Sequence, residues 1–161
     1  MRAIAIICPI IACILVGVII YLIYRQTEEY KLKDDPKLHD LNELFSGFFN
    51  KDRYWTGHLD PLNRRDIMNE IDLYRGDKSY TINKERVYLC LKDENNEYYP
   101  INMLIYVLAH ELSHVISKSI GHTDEFHAIF DQLLGELTEE GIYDPSEQII
   151  SDYCHAGDSL Q

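Results

Sequence analysis

The order of apolar and polar residues divides the chain into one long apolar run and a mixed region that follows it. Residues 3–24 include no charged side chain, and these 22 residues would form about 33 Å of helix. A hydrocarbon core is about 30 Å thick, whereas the apolar part of a cleaved signal peptide has only about 7–15 residues. The pattern predicts a transmembrane anchor over residues 3–24, a juxtamembrane linker over 25–35 and one domain over 36–161. The flanking basic residues leave the orientation of this single-pass membrane protein open.

Three stretches of the predicted domain place apolar residues at the spacing of a helix. The first covers residues 36–50 and has one apolar face. The second extends from a predicted cap at Asn102 to about Ser119 and is apolar almost all round, so we expect it to be buried. The third follows a predicted cap at Thr123 and ends at Gly141, a residue suited to the left-handed end of a helix.

Shorter stretches have the alternating pattern of strands. Residues 80–82 and 86–92, the latter with the sequence RVYLCLK, are rich in β-branched and aromatic residues and predict strands. Residues 61–74 fit either a helix or a strand. The segment 86–92 is either an edge strand that pairs with a substrate backbone or a strand of the core. Together these elements predict an α+β fold.

The charge distribution limits the partners that the domain can have. All 27 acidic residues but only 13 of the 15 basic residues follow Arg25, which gives this part a net charge of −14. Such a surface repels phosphate backbones, so we expect no nucleic-acid partner. Two of the four cysteines, Cys8 and Cys13, lie in the apolar run, which leaves Cys90 and Cys154 as the pair that a disulfide could join.

The second predicted helix contains the sequence HELSH at residues 110–114. His110 and His114 are one helical turn apart on the same face, so both rings can reach one metal ion at about 2.0–2.1 Å. Glu111 lies about 100° round the helix, where it can contact a water molecule on that ion without being a ligand. A metallopeptidase needs this arrangement, with the glutamate as the base that deprotonates the water. The motif predicts His110 and His114 as metal ligands and Glu111 as the catalytic base.

The third ligand and the oxyanion donor are less narrowly defined by the pattern. His122 follows the predicted turn and can point back at the ion, while Glu125 and His127 are alternatives on the next helix. Tyr143 and Tyr153 are candidates to donate a hydrogen bond to the oxyanion of a tetrahedral intermediate. The spacing does not distinguish between these two tyrosines.

The stretch HELSHVISKSIGHTDEFHAIF, residues 110–130, resembles the zinc site of the WLM and SprT-like zincins. Residues 79–154 are also similar to small metallopeptidase-like proteins of large DNA viruses, often with an N-terminal membrane segment. The resemblance implies a minimal zincin-like domain, made of an active-site helix, a short β-sheet and a following helix, behind an N-terminal transmembrane helix. It implies that His110, His114 and His122 bind Zn²⁺ and that Glu111 is the catalytic base.

Two functions follow from these features. The first is a membrane-anchored zinc metallopeptidase that hydrolyses peptide bonds in a protein or peptide substrate. The alternative is a membrane-tethered domain in which the same residues hold a structural zinc ion and the acidic surface binds a basic partner. Structural zinc sites normally have four cysteine or histidine ligands and need no base, so Glu111 favours the first function.

Overall fold

The computed structural model describes the backbone of residues 2–155 and the side chains of residue 11 and residues 13–154. The last residues of the predicted domain, 156–161, lie outside this description. The chain forms two compact units, Met1–Asp34 and Asp35–Gln161. The first unit is a single helix, α1 (Arg2–Lys33), which extends through most of the stretch predicted as a linker.

The prediction of a transmembrane anchor over residues 3–24 is wrong. No helix among the described residues is long and apolar enough to cross a membrane. The side chains of residues 3–10 and 12, in the first half of the predicted anchor, lie outside the described part of the chain. Helix α1 continues beyond Tyr24 with polar and charged residues as far as Lys33. Two related predictions are therefore wrong as well: the N-terminal transmembrane helix as part of the fold, and the single-pass membrane location.

The second unit begins with α2 (Pro36–Phe49), which confirms the first predicted helix of the domain. The Asp35 carboxylate accepts a hydrogen bond from the Lys37 backbone N–H at 3.0 Å, and Pro36 lies in the first turn, where its missing N–H has no helical partner to lose. One face of α2 is buried in the core. Its members are Leu38, Leu41, Phe45 and Phe48.

A short sheet follows α2. A 3-10 helix (Gly57–Arg64) and a single turn of helix, α3 (Ile67–Glu70), lead into strand β1 (Asp72–Arg75), so residues 61–74 contain both a helix and a strand. Strand β2 (Tyr80–Ile82) and strand β3 (Arg86–Leu89) complete the sheet.

The strand order is β1-β3-β2, with β3 parallel to β1 and antiparallel to β2. The RVYLCLK segment therefore provides the central strand of the described sheet, as the core alternative predicted, and β2 is an edge strand.

Helix α4 (Ile101–Ile116) lies between this sheet and helix α5 (Asp124–Glu139). Most of its residues are buried, as expected for a helix that is apolar almost all round. The unit is therefore α+β, with α4 at the centre of its core. The core includes Leu73, Val87 and Leu89 from the sheet, Leu104, Leu108 and Leu112 from α4, and Phe126, Leu133 and Leu137 from α5.

The predicted ends of these two helices are partly correct. The Thr123 hydroxyl accepts a hydrogen bond from the Phe126 N–H, which confirms the cap of α5, and Gly141 has the expected left-handed backbone with φ +68°. Asn102 is not a cap, because it lies inside α4. Its side-chain amide instead binds the backbone N–H and C=O of Asp144, at 2.8 and 2.9 Å, and so fixes the segment that follows α5.

Candidate metal centre

Three histidines converge at the carboxyl end of α4. His110 and His114 lie one turn apart, with ring centroids separated by 5.1 Å. The chain reverses after Ile116 and brings the ring of His122 to 4.9 Å from each of the other two. One nitrogen from each ring can be chosen so that all three lie within 4.8 Å of one another. The structure thus brings together the three residues that the sequence predicted as ligands.

The geometry of these rings fits a metal ion. The Nε2 atoms of His110 and His122 are 3.0 Å apart. Two nitrogens bound to one tetrahedral zinc ion at about 2.0–2.1 Å would be about 3.3 Å apart, so small side-chain movements would open the site to that size. Three imidazoles suit zinc, and they also suit cobalt, nickel and copper. Among the described residues, the histidine group is the candidate site for a cation.

The surroundings keep the imidazoles neutral. Burial lowers the pKa of His110 to about 3 and that of His114 to about 4, with a further contribution from the neighbouring histidines. Burial also lowers the pKa of His122 below its usual value. A metal ion binds the neutral ring, so these shifts leave the ligand nitrogens available at neutral pH.

Phe126 forms the apolar wall behind the three rings. It is 1% exposed, and its ring centroid lies 4.9 Å from that of His110, 4.3 Å from that of His114 and 4.8 Å from that of His122. The side chain comes from the first turn of α5, directly after the cap at Thr123. Because Phe126 contacts each ligand ring, it limits the orientations that the three imidazoles can adopt.

Glu125 organises the loop that leads to His122. One of its carboxylate oxygens accepts hydrogen bonds from the Ser117 hydroxyl at 3.1 Å, from the N–H groups of Lys118 and Ser119 at 3.2 and 3.1 Å, and from the Ser119 hydroxyl at 2.6 Å. The Ser119 hydroxyl is the largest of the contacts that lower the pKa of Glu125 to about 2. Glu125, an alternative third ligand in the sequence, thus binds the loop.

Lys84 supports the same loop from the sheet. Asn83 and Lys84 both have positive φ, 53° and 59°, and form the tight turn between β2 and β3. The Lys84 ammonium donates hydrogen bonds to the carbonyls of Ser117 and Ser119. Anionic Glu125 therefore binds the hydrogen-bond donors of this loop, and cationic Lys84 binds its acceptors.

His127, the other alternative ligand, is exposed, and its ring centroid is 6.3 Å from that of His122.

Glu111 is buried beside the histidines. It is 2% exposed, and Thr81 Oγ1 lies 2.8 Å from Glu111 Oε2. Burial raises the pKa of Glu111 to about 7, and the hydrogen bond from Thr81 opposes this shift only in part. Glu111, His114 and His122 line one cleft of about 420 Å³. A carboxyl group with a pKa near neutrality can both accept and release a proton under physiological conditions.

Neither of the tyrosines proposed as oxyanion donors lines this cleft. Tyr153 is buried, and its hydroxyl binds Ser79 and the Cys90 carbonyl. Tyr143 is buried and packs near Tyr106.

Cys90 and Cys154 form a disulfide, which settles the pairing that the sequence left open.

Sequence reasoning missed the contacts of Thr81 and Lys84 with the site. Thr81 could have been identified from its place in the short alternating strand, between two larger residues. No sequence pattern indicated a role for Lys84.

Three viral proteins are similar to this chain. Uncharacterized protein 136R of Invertebrate iridescent virus 6 is 33% identical over 171 residues, which cover 90% of this chain and 96% of the relative. Uncharacterized protein 042R of Invertebrate iridescent virus 3 is 35% identical over 153 residues, which cover 88% and 94%. Uncharacterized protein R325 of Acanthamoeba polyphaga mimivirus is 27% identical over 134 residues, which cover 74% and 64%. No family model and no solved structure matches the chain.

The fold and the cleft define an α+β protein with three histidines that could hold a metal ion. The sequence identity to the iridescent virus proteins, and the share of each chain that the match covers, then show its family. This chain belongs to the family of the iridescent virus proteins 136R and 042R.

Proposed function

We propose that this chain is a zinc-dependent peptidase, the activity that the resemblance to the WLM and SprT-like zincins implies. The observation that most supports the proposal is the presence in one cleft of metal-binding imidazoles and the buried carboxyl group of Glu111. The side-chain hydrogen bond to the Glu111 carboxyl group comes from the uncharged Thr81 hydroxyl. The carboxyl group is therefore not neutralised by an ion pair and remains available as a base.

The residues have distinct roles in this proposal. His110, His114 and His122 hold the zinc ion. When bound, zinc polarises the scissile carbonyl and lowers the pKa of a coordinated water molecule toward 7. Glu111 takes one proton from the attacking water and later gives a proton to the leaving amine, so that it returns to its starting state. The low pKa values of His110 and His114 keep their rings neutral at physiological pH, which is the state that can bind the ion.

The edge strand β2 offers a place for an extended substrate. In the described sheet, β2 is paired on one side only, by β3, and Tyr80 and Thr81 line the cleft. A peptide that added to the open side of β2 would gain backbone hydrogen bonds beside the histidines. Tyr80 and Ile120, which are 43% and 93% exposed, would offer apolar contacts to its side chains. We therefore propose unstructured protein segments as the substrate.

A structural zinc site, the alternative function, has less support. Such sites normally have four cysteine or histidine ligands. Among the described residues, the group that can hold a cation has three members, and Glu111 occupies the same cleft. A three-ligand site leaves one position for water or substrate, which is the arrangement of a catalytic zinc ion.

The test compares Glu111→Gln with the unchanged protein. Both proteins are expected to bind one equivalent of zinc, measured by elemental analysis, because glutamine has nearly the same shape and Glu111 is not a ligand. Cleavage of an unfolded protein such as casein is expected to fall at least 100-fold in the variant, because the amide cannot accept the proton from water.

Two further variants complete the design. Glu139→Gln changes an exposed glutamate of α5 and is expected to retain full activity. His114→Ala is expected to lose both zinc and cleavage. Equal cleavage by the Glu111→Gln variant, or an unchanged protein that binds no zinc, would exclude the proposed function.

A further inference from the structure

Thr81 is the side chain of β2 that faces α4. Side chains alternate along a strand, and Tyr80 and Ile82, the neighbours of Thr81, are both more exposed than Thr81, at 43% and 39%. Thr81 is half-buried and lines the cleft with Glu111. The pairing of Thr81 with Val87 in the central strand fixes this position. The edge strand therefore presents one hydroxyl group to the active-site helix.

That hydroxyl group contacts Glu111 at two places. Thr81 Oγ1 lies 2.8 Å from Glu111 Oε2 and 3.3 Å from the Glu111 main-chain oxygen. Among the described residues, Thr81 makes the one side-chain hydrogen bond to the Glu111 carboxyl group. A glutamate side chain has three rotatable bonds, so its terminal group needs such a contact to keep one orientation.

We propose that Thr81 is a positioning residue that orients Glu111 for proton transfer. This inference rests on the proposed peptidase function. The hydroxyl group holds Oε2 of Glu111 and leaves Oε1 free to accept the proton of the attacking water. A base must lie within hydrogen-bond distance of the proton that it removes, so an error of about 1 Å in its position strongly reduces the rate.

The two contacts of Thr81 suit both states of the base. While Glu111 is ionised, the Thr81 hydroxyl donates its proton to Oε2. After Glu111 has taken a proton from water on Oε1, Oε2 is the carbonyl oxygen of a carboxylic acid, and the Thr81 hydroxyl can still donate to it or to the Glu111 main-chain oxygen. No proton is gained or lost at Thr81 in either state.

The test compares Thr81→Val with Thr81→Ser. Valine has nearly the same shape as threonine but no hydroxyl group, whereas serine keeps the hydroxyl group. In the zinc-loaded full-length protein, Thr81→Val is expected to lower kcat about 10- to 100-fold with little change in KM, because a hydrogen bond to a charged group is lost. Thr81→Ser is expected to stay within about threefold of the unchanged protein. Zinc content is expected to be the same in all three.

Crystal structures of both zinc-loaded variants give a readout that does not depend on activity. The proposal expects the Glu111 carboxyl group to leave its position in Thr81→Val and to keep it in Thr81→Ser. Full kcat in Thr81→Val, equal loss in both variants, or an unmoved Glu111 in the Thr81→Val crystal would overturn it. If the unchanged protein binds zinc but cleaves nothing, the peptidase proposal fails, and the two crystal structures still decide whether Thr81 positions Glu111.

Discussion

Phe126→Leu tests whether the apolar wall behind the histidines orients the metal ligands. The Phe126 ring is almost completely buried and lies within 5 Å, centroid to centroid, of all three imidazoles. Leucine keeps the apolar character but lacks the ring. The substitution is therefore expected to lower both the stability of the fold and the affinity for zinc.

The magnitude of each effect can be worked from these contacts. Leucine is smaller than phenylalanine by about three carbons, and each buried carbon stabilises the fold by about 0.8 kcal/mol, so the free energy of unfolding is expected to fall by about 2 kcal/mol. Loss of a group that orients metal ligands typically lowers affinity about 10- to 100-fold. We expect a value near the lower limit, about 10-fold, because the hydrogen bonds of the loop remain.

Phe45→Leu is the matched control. Phe45 is 0% exposed, lies on α2, and has ring contacts with Phe48 and Phe49. The free energy of unfolding is measured by urea denaturation of the metal-free proteins, and zinc affinity by competition with a chromophoric chelator. Both variants are expected to lose similar stability, and only Phe126→Leu to lose affinity. Unchanged zinc affinity in Phe126→Leu would refute the argument that this ring orients the ligands.

Three other predictions concern protonation, the loop and the disulfide. In metal-free Glu111→Gln, a change from pH 7.5 to 5 is expected to lower the free energy of unfolding by about 2 kcal/mol through His110 alone. Its pKa is about 3 when folded and about 6.5 when exposed, so below pH 6.5 the unfolded chain takes up a proton that the folded chain does not. When His110→Gln is added, urea denaturation should no longer show this loss of about 2 kcal/mol. If the loss of stability were the same with and without His110→Gln, the attribution to His110 would be wrong. Glu125→Ala is expected to lower zinc affinity at least about 10-fold in calorimetric titration, because the loop before the third ligand loses its four hydrogen bonds to the carboxylate; unchanged affinity would mean that the loop is fixed by other contacts. Reduction of the Cys90–Cys154 bond, which joins residues 64 positions apart, is expected to cost about 4 kcal/mol of stability; a loss below about 1 kcal/mol in urea with reductant would contradict this.

Local patterns predicted much of the second unit. The helical spacing after Pro36, the cap at Thr123 and the left-handed Gly141 all depend on residues within a few positions of each other, and the structure has them as predicted. The two histidines of HELSH share a helix face for the same reason, because a spacing of four residues fixes their relation. The sequence also placed His122 in the turn that brings it to the other rings.

Most of what the local patterns did not predict depends on contacts between distant parts of the chain. Asn102 has the chemistry of a cap, but its amide binds the backbone of Asp144, more than forty positions away. The role of Thr81 depends on the order of strands in the sheet, which a local pattern does not contain. The transmembrane prediction rested mainly on the length of an uncharged apolar run, and no helix among the described residues is long and apolar enough to cross a membrane.

The disulfide also determines how a break in the backbone between its two cysteines would appear on a gel. Helices α4 and α5 and the turn between them all lie between Cys90 and Cys154, so the whole metal centre belongs to one covalent ring. If a protease cuts one peptide bond within this ring, the disulfide keeps the two fragments joined. Protein cut in this way would then migrate as a full-length chain on a gel run without a thiol and separate into two bands when a thiol is added.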